Sequence, residues 1–444
     1  MARKVFISVL GASNYGGCYY TKDDKGFKSS LVRYIQEATI EYLMKEEEWT
    51  SNDVAYILLT EESELKNWKD NGHKDFTTKE TINQTGLLTQ LQQMNLPFEV
   101  ETIDKLPMGN NEKEIWEIFE KTFEKIQVGD ELYFDLTHGF RYIPMLILVL
   151  GNYSKFMKKV VVRSITYGNF EGRDRKTNEA PIIDLLPLSA LQEYTDIASS
   201  FTSFGRVKKL SDALKTENTD SNAVIKEIYT ALENFDNALV TNRLSEIKEG
   251  KYMLVIKNSI KPLNKQKIPT PIKLIISRIY KELEDFGFTS ENSSQNIEAA
   301  INWLKHYKML AQAYTTGQEY IISLVVDIFK DENPYKISNT EEIDKKKRKE
   351  LEKKSEKNFR MYMSSICSIS DKDVANEDFR HALLEHKELT RKLLSNPTIN
   401  SLRKYFAELG ENRNAINHGK GNVTYSELEN EFNKLFSNCL EIIK

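Results

Sequence analysis

Residues 132–144 read Leu-Tyr-Phe-Asp-Leu-Thr-His-Gly-Phe-Arg-Tyr-Ile-Pro, and this stretch decides the fold of the first half of the chain. A run of β-forming residues ends at Leu136, a short polar turn follows, and an apolar helical stretch begins near Pro144. A strand that leads into a helix through a tight turn is typical of α/β proteins. Gly139 in the turn would allow the backbone to approach a ligand closely.

The same alternation extends outward over about residues 5–186. Strands are predicted at 5–10, 54–60, 98–103, 131–136, 160–167 and 182–186, and amphipathic helices at 29–44 and 113–126. Alternating strands and helices predict a doubly wound, Rossmann-like parallel sheet with helices on both faces, which we assign to residues 1–190.

Beyond residue 190 the periodicity is helical almost throughout, with Pro262, Pro269, Pro271 and Pro334 as the main breaks. Residues 191–444 are therefore predicted to be all-α. The Lys-rich and Glu-rich segment 331–357 is typical of a solvated helix or a mobile loop, and attraction of RNA is the alternative interpretation.

The composition limits the classes of function. The chain has 444 residues and a formal net charge of -4, so it has no global basic excess for binding nucleic acid, and any phosphate site must be local. Three cysteines stand far apart without metal-ligand spacing, which favours a reducing, cytoplasmic environment. No stretch reaches the roughly 18 apolar residues of a membrane helix, so no membrane association is expected.

Two loops are the first candidate site, because ligands of such sheets bind beyond the carboxyl ends of the strands. The loop after Leu10 reads Gly-Ala-Ser-Asn-Tyr-Gly-Gly and lacks the dinucleotide-binding glycine pattern. In the loop after Leu136, Thr137 and His138 supply neutral donors and acceptors, while Arg141 and the helix start offer positive potential. A phosphate or nucleotide would suit these loops. The alternative is that they only cap a helix and form a turn.

The sequence Asp-Leu-Thr-His-Gly-Phe-Arg-Tyr-Ile-Pro resembles the signature of the CARF domain, the CRISPR-associated Rossmann fold of type III ancillary nucleases. The resemblance implies a domain that dimerises and binds a cyclic oligoadenylate across the two-fold axis. Family frequency favours cyclic tetra-adenylate, with cyclic hexa-adenylate as the second choice. The residues then expected to contact the activator are Gly11, Ser13, Asn14, Tyr15, Thr137, His138, Gly139, Phe140 and Arg141.

The second candidate site is the segment 411–419, which reads Glu-Asn-Arg-Asn-Ala-Ile-Asn-His-Gly. A guanidinium can grip a phosphate, an imidazole can move protons near neutral pH, and Asn414 could orient either group. On a regular helix Arg413 and His418 would point about 140° apart, whereas Asn414 and His418 share a face. No carboxylate cluster accompanies them, so a two-metal nuclease is not expected, and we predict no bound metal.

This segment resembles the motif of HEPN ribonucleases, in which Arg, a polar residue and a few further residues precede His. In that family the motifs of two subunits form one composite, metal-independent site, which assigns Arg413, Asn414 and His418 to catalysis. A second motif of this kind, Arg380 to His386, contains the apolar pair Leu383 and Leu384 and is interpreted as a core helix.

The order of a CARF-like half and a HEPN-like half is typical of type III CRISPR ancillary ribonucleases. The resemblance implies a cytoplasmic homodimer that cuts single-stranded RNA in antiviral defence, activated allosterically by cyclic oligoadenylate. It leaves open further assembly, base preference, and whether the domain degrades its activator. The alternative is a non-catalytic nucleotide-sensing protein whose helical half contacts a partner. A HEPN enzyme that transfers nucleotides to RNA would need a partner transferase motif, and none is visible.

Overall fold

The computed structural model describes residues 2–75, 77–139, 142–217, 222–289, 291, 293–337, 344–376, 379, 381–419 and 423–443. Three residues of the predicted motifs, Phe140, Arg141 and Arg380, lie outside these ranges. The chain divides into two compact units, Met1–Tyr194 and Thr195–Lys444. The first unit contains a sheet with flanking helices, and the described part of the second is helical. The predicted fold class, an α/β half followed by an all-α half, is confirmed.

The first unit is built on an eight-stranded sheet with the strand order β3-β2-β8-β7-β6-β1-β4-β5. Its strands are β1 (Lys4–Val9), β2 (Tyr19–Lys22), β3 (Phe27–Lys28), β4 (Val54–Thr60), β5 (Glu99–Leu106), β6 (Glu131–Asp135), β7 (Val161–Gly168) and β8 (Glu179–Asp184). The central strands β1 and β6 are parallel neighbours, with Ser8 opposite Asp135. The loops that follow β1 and β6 therefore emerge side by side.

The sheet is mixed, which corrects the expectation of a wholly parallel one. β8 runs antiparallel to β7, and β2 runs antiparallel to β3. β2 and β3 have four and two residues, too short to produce a periodic pattern in the sequence. The direction of β8 follows from the short connection between β7 and β8, since a parallel pair needs a crossover of a dozen or more residues.

Side chains of β1 alternate between two cores on opposite faces of the sheet. Phe6 and, just after the strand, Leu10 lie in one core, whereas Val5, Ile7 and Val9 lie in the other. Central strands that are buried on both faces explain the nearly continuous apolar runs in the sequence.

The described helices between the strands are α1 (Ile35–Glu46), α2 (Glu61–Ser63), α3 (Leu87–Gln93), α4 (Glu112–Lys125) and α5 (Ile143–Lys158). A π-helical turn, Glu64–Trp68, directly continues α2. The helix predicted at 29–44 begins only at Ile35, because residues 31–34 form bends and an isolated bridge between Val32 and Cys18. At the start of the helix, Glu37 accepts a hydrogen bond from the backbone amide of Tyr34 (3.0 Å).

The remaining helices are α6 (Leu186–Phe204), α7 (Lys208–Glu217), α8 (Ala223–Val240), α9 (Leu244–Ile247), α10 (Lys251–Asn264), α11 (Thr270–Glu282), α12 (Ser293–His306), α13 (Leu310–Ile328), α14 (Lys345–Ser368), α15 (Asp371–Ala375), α16 (His381–Leu384), α17 (Lys387–Leu394), α18 (Pro397–His418) and α19 (Tyr425–Ile443). Within the second unit, α13 packs against α12, α14, α18 and α19. Within the 331–357 segment, residues 345–357 belong to helix α14, and residues 338–343 lie outside the described residues. None of the described helices combines the length and apolar character needed to cross a lipid bilayer.

Candidate functional site

A chain of hydrogen bonds holds the loop after β6 in place. Gln36 of α1 donates to the hydroxyl of Ser8 (3.0 Å), which donates to the buried carboxylate of Asp135 (2.6 Å). The same carboxylate accepts from the amide and the hydroxyl of Thr137 (3.1 and 2.5 Å). The Thr137 hydroxyl in turn accepts from the amide of Gly168 in β7 (2.8 Å). Because this hydroxyl already has a partner on each side, Thr137 positions the loop.

Burial raises the pKa of the Asp135 carboxyl, while the hydrogen bonds from Ser8 and Thr137 act in the opposite direction. The carboxyl group has no solvent access, so its oxygens depend on these neighbours for hydrogen bonds. Asp135 is thus a structural anchor for the loop.

The loop after β1 is fixed by Asn67, a buried residue of the π-helical turn. Its amide nitrogen donates to the backbone carbonyls of Gly11 and Ser13, both at 2.8 Å. Its amide oxygen lies 2.9 Å from Nε2 of His73, which is also buried. π-Helical turns are rare and often occur at functional sites. Here the turn directs one side chain onto the loop that we predicted to bind a ligand.

His138 and Tyr15 bring the two loops together. Their rings stack with centroids 4.1 Å apart and planes at 25°. Nε2 of His138 has no solvent access and no hydrogen-bond partner among the described residues. Burial lowers the pKa of His138 to about 4, so the ring is neutral near pH 7. A neutral imidazole here can donate to or accept from a ligand without carrying charge.

Two glycines make this arrangement possible. Gly139 has φ +112°, a conformation that side-chain-bearing residues rarely adopt, and a Cβ atom there would lie 3.0 Å from Cγ1 of Val9. A Cβ atom at Gly11 would lie 2.3 Å from the hydroxyl oxygen of Tyr15. Gly11 therefore leaves the space in which the Tyr15 ring lies beneath His138.

The two loops border a cavity of about 650 Å³. Of the nine predicted activator contacts, seven line it: Gly11, Ser13, Asn14, Tyr15, Thr137, His138 and Gly139. The other two, Phe140 and Arg141, lie outside the described residues. The first residue of α5, Ile143, also lines the cavity, which places the positive end of the helix dipole there. The volume suits a ligand of nucleotide size.

Charged and polar side chains at the rim complete the cavity. Lys66 and Glu62 line it and form an ion pair (2.6 Å). Arg33 donates to the side-chain oxygen of Asn14 (2.8 Å) and so restrains its orientation. The sequence interpretation missed Arg33, Lys66 and Asn67, because no local pattern shows which segments fold against the loops.

The second candidate site lies at the end of α18, which is helical through His418 and is capped by Gly419 with φ +61°. Arg413 is half-buried and donates to the side-chain oxygen of Asn414 (3.1 Å). His418 is exposed. On this helix Arg413 and His418 point about 140° apart, so a single copy of α18 does not bring the two side chains together.

Arg413 and Asn414 line a cavity of about 370 Å³, and His418 is not among its lining residues. Ser364 and Ser368 of α14 and Gln318 of α13 also line it. Gln318 is 6% exposed, and its side-chain oxygen has no partner among the described residues. Its amide nitrogen lies 3.0 Å from the position that a Cβ atom at Gly410 would occupy. Sequence reasoning missed Gln318, which precedes Arg413 by 95 positions in the chain.

His386, the histidine of the second Arg and His motif, packs between aromatic rings. Its centroid lies 5.0 Å from that of Tyr335 and 5.9 Å from that of Tyr362, in both cases edge to face. Leu383 of the same motif is 1% exposed. These contacts favour a packing role for this segment.

Among the described residues, no group of three or more His, Cys, Asp or Glu side chains is arranged to hold a metal ion. The three cysteines, Cys18, Cys367 and Cys439, are buried and free.

Comparisons with known proteins agree with the resemblance. The family model described as "CRISPR-associated protein MJ1674, second domain" matches residues 190–329. CRISPR-associated protein MJ1674 of Methanocaldococcus jannaschii is 26% identical over 233 residues, which cover 51% of this chain and 34% of that protein. The aligned region thus spans about a third of the length of the curated relative.

A solved structure, Enterococcus italicus Csm6 bound to cyclic hexa-2'-fluoro-hexa-dAMP, aligns with 100% of this chain and 93% of that chain. The TM-score is 0.43 and the sequence identity is 12%. The family match and the curated relative show that this chain is similar to CRISPR-associated proteins, in agreement with the resemblance.

Proposed function

We propose that this protein is a type III CRISPR ancillary ribonuclease, a metal-independent endoribonuclease for single-stranded RNA that a cyclic oligoadenylate activates. The observation that carries the proposal is the stacked pair of His138 and Tyr15, which borders a cavity between two loops. The second of these loops, after β6, resembles the CARF signature. The relationship to CRISPR-associated proteins supports it.

The cavity chemistry suits an adenine nucleotide. Adenine offers an amino donor and ring acceptors, and the neutral His138 ring can meet either with Nε2. The start of α5 and Lys66 supply positive potential for phosphates. A cyclic tetra-adenylate has two-fold symmetry, so it would make the same contacts with the equivalent loops of both subunits in a two-fold dimer. Cyclic hexa-adenylate shares that symmetry and is the second choice.

The proposed cleavage uses the 2′-hydroxyl of the RNA itself as the nucleophile. Its oxygen attacks the adjacent phosphorus, its proton leaves to a base, and the 5′-oxygen departs with a proton, giving a 2′,3′-cyclic phosphate and a 5′-hydroxyl end. Arg413 would stabilise the charge on the pentacoordinate phosphorus, and His418 would transfer protons. Because one helix points these side chains apart, Arg413 and His418 of two subunits would form the composite site.

Incubation of the purified protein with labelled single-stranded RNA tests the function directly. We expect cutting only when cyclic oligoadenylate is added, cyclic-phosphate ends on the products, and an unchanged rate in excess EDTA. Ligand binding without any RNA cutting would instead support the alternative of a non-catalytic nucleotide sensor. A rate that EDTA abolishes and magnesium restores would contradict the metal-independent mechanism.

The surface of α5 supports the proposed homodimer. Met145, Val149 and Phe156 are 69%, 52% and 69% exposed, and their spacing places them along one side of the helix. Tyr153 lies on the same side, and its ring contacts Phe119 of α4 at 5.5 Å between centroids. An exposed apolar stripe of this kind is unusual on a monomer and marks an interaction surface. We assign it to a second copy of this chain.

We expect the double variant Met145→Glu and Phe156→Glu to be monomeric, because the buried interface would have to accommodate four carboxylates, two from each subunit. Light scattering coupled to size exclusion would measure the mass, and activated RNA cutting should fall with it. Leu274→Glu, at a 66% exposed position of α11, is the matched control and should leave the mass unchanged. A double variant that remains dimeric would place the interface elsewhere.

A further inference from the structure

We propose that a second cavity in the helical unit, separate from the Arg413 cavity, binds the phosphate backbone of the RNA strand beside the scissile bond. This inference rests on the proposed function. The cavity has a volume of about 550 Å³ and lies between α9, α12, α13 and α14. We call it the backbone cavity. Its polar lining includes Arg243, Lys248, Ser293, Ser294, Ser323 and Arg360.

Three separate chain segments each contribute a cation to the backbone cavity. Arg243 precedes α9, Lys248 follows α9, and Arg360 belongs to α14. Two carboxylates, Glu319 and Asp327, also line it, and Arg360 neutralises Glu319 through an ion pair of 2.6 Å. The lining therefore carries three positive and two negative side chains in a chain whose net charge is -4. A local excess of this sign favours a phosphate ligand.

The three cations differ in how firmly neighbouring groups hold them. Arg360 is held by Glu319 and by the hydroxyl of Ser323 (2.9 Å), so its guanidinium is already oriented. Arg243 and Lys248 are exposed, and Arg243 forms a long ion pair with Glu246 (3.4 Å). Long exposed cations can turn toward a phosphate at little cost, and arginine binds phosphate through paired donors.

The backbone cavity adjoins the Arg413 cavity. Glu319 lines both cavities. On α14, Arg360 lines the backbone cavity and Ser364, about 6 Å further along the helix axis, lines the Arg413 cavity. A single strand with its scissile phosphate at Arg413 would therefore place a neighbouring phosphate within reach of the backbone cavity.

The start of α14 extends the positive potential beyond the backbone cavity. Residues 345–360 contain nine Lys or Arg and three Glu, a net charge of +6. The overlapping segment 331–357 was interpreted from sequence as a solvated helix or a mobile loop, with RNA attraction as the alternative. Because Arg360 lies at the end of this segment and inside the backbone cavity, the structure favours attraction of RNA along α14.

The test uses the full-length protein with Arg243→Glu and Lys248→Glu together. In a His418→Ala background, fluorescence anisotropy would measure the Kd for a labelled single-stranded RNA of about 12 nucleotides. We expect RNA binding to weaken about 10-fold or more. Plotted against the logarithm of the salt concentration, the logarithm of the binding constant should have a slope shallower by about 1.4, because two phosphate contacts are lost. With His418 intact, KM for the same RNA should rise while kcat at saturation stays within about twofold.

Arg278→Glu is the matched control. Its side chain is 59% exposed and pairs with Glu282, much as the 54% exposed Arg243 pairs with Glu246, but it lies outside the backbone cavity. Thermal melting would show whether charge reversal disturbs folding. If it does, the milder double variant Arg243→Gln and Lys248→Gln is used for the same Kd and salt-slope measurements. If the Arg243 and Lys248 substitutions leave the Kd and the salt slope unchanged, while the protein with His418 intact still cuts RNA, the proposed role of the backbone cavity is overturned and the proposed function is not. A wild-type protein that neither binds nor cuts RNA overturns the proposed function as well.

Discussion

Replacing Arg413 or His418 with alanine is expected to reduce activated RNA cutting by about 100-fold to 10,000-fold, the usual range for losing a proton-transferring or charge-stabilising group. Binding of the activator should be unchanged, because the predicted activator contacts lie in the α/β half. Single-turnover cleavage of labelled RNA at saturating activator would measure the loss, and isothermal titration would measure activator affinity.

Two exposed residues of the helical unit serve as controls for these variants. His381 is on α16 with a side chain 90% exposed, and Arg278 is on α11 at 59%. Alanine at either position should leave the cutting rate within about twofold, as for most surface substitutions. His386→Ala and Arg380→Ala should likewise retain cutting, although the buried contacts of His386 predict a lower melting temperature. Full activity in Arg413→Ala or His418→Ala would remove the catalytic assignment.

The second large effect is expected for substitution of His138 in the proposed activator cavity. His138→Ala should raise the activator concentration for half-maximal cutting by about 30-fold to 25,000-fold, from about 1 to 3 kcal/mol per site at two sites in a dimer. The cutting rate at saturating activator should change little, because the variant shifts the equilibrium that the ligand controls. Isothermal titration and cutting measured against activator concentration would both report the shift.

His138→Phe separates the two roles of this residue, since it keeps a ring to stack on Tyr15 and removes the ring nitrogens. If Nε2 contacts the activator, the phenylalanine variant should bind nearly as weakly as the alanine variant. If stacking alone matters, it should bind like the wild type. Unchanged affinity of His138→Ala for every adenylate ring would mean that the loop is only a turn before a helix.

The lowered pKa of His138 predicts how the activator affinity depends on pH. Its pKa is lowered to about 4, so between about pH 6 and 8 the imidazole is neutral in the free protein. If it also stays neutral with the activator bound, it contributes no pH dependence to the affinity over this range. A different result would be an activator affinity that increases steadily as the pH falls from 8 to 6. If His138→Phe abolished this pH dependence, binding of the activator would be shown to protonate the His138 ring.

Much of the fold could be predicted from the sequence, because hydrophobic periodicity and turn residues are local properties. The runs at 5–10, 54–60 and 131–136 became β1, β4 and β6 to within one residue. The apolar stretch after residue 142 became α5. Parallel pairing of β1 and β6 placed the two predicted ligand loops side by side, as expected where parallel strands end at one edge of a sheet.

The tertiary structure alone decided which distant residues complete each site. Asn67 reaches the loop after β1 across 54 positions to Ser13, and Gln36 reaches Ser8 across 28. Gln318 and Ser364 lie beside Arg413 only because α13, α14 and α18 pack together. Such contacts depend on the packing of whole elements, and a single sequence carries no local pattern for them. The sequence determined the candidate residues and the local elements that carry them, whereas long-range packing decided which of them meet around a cavity.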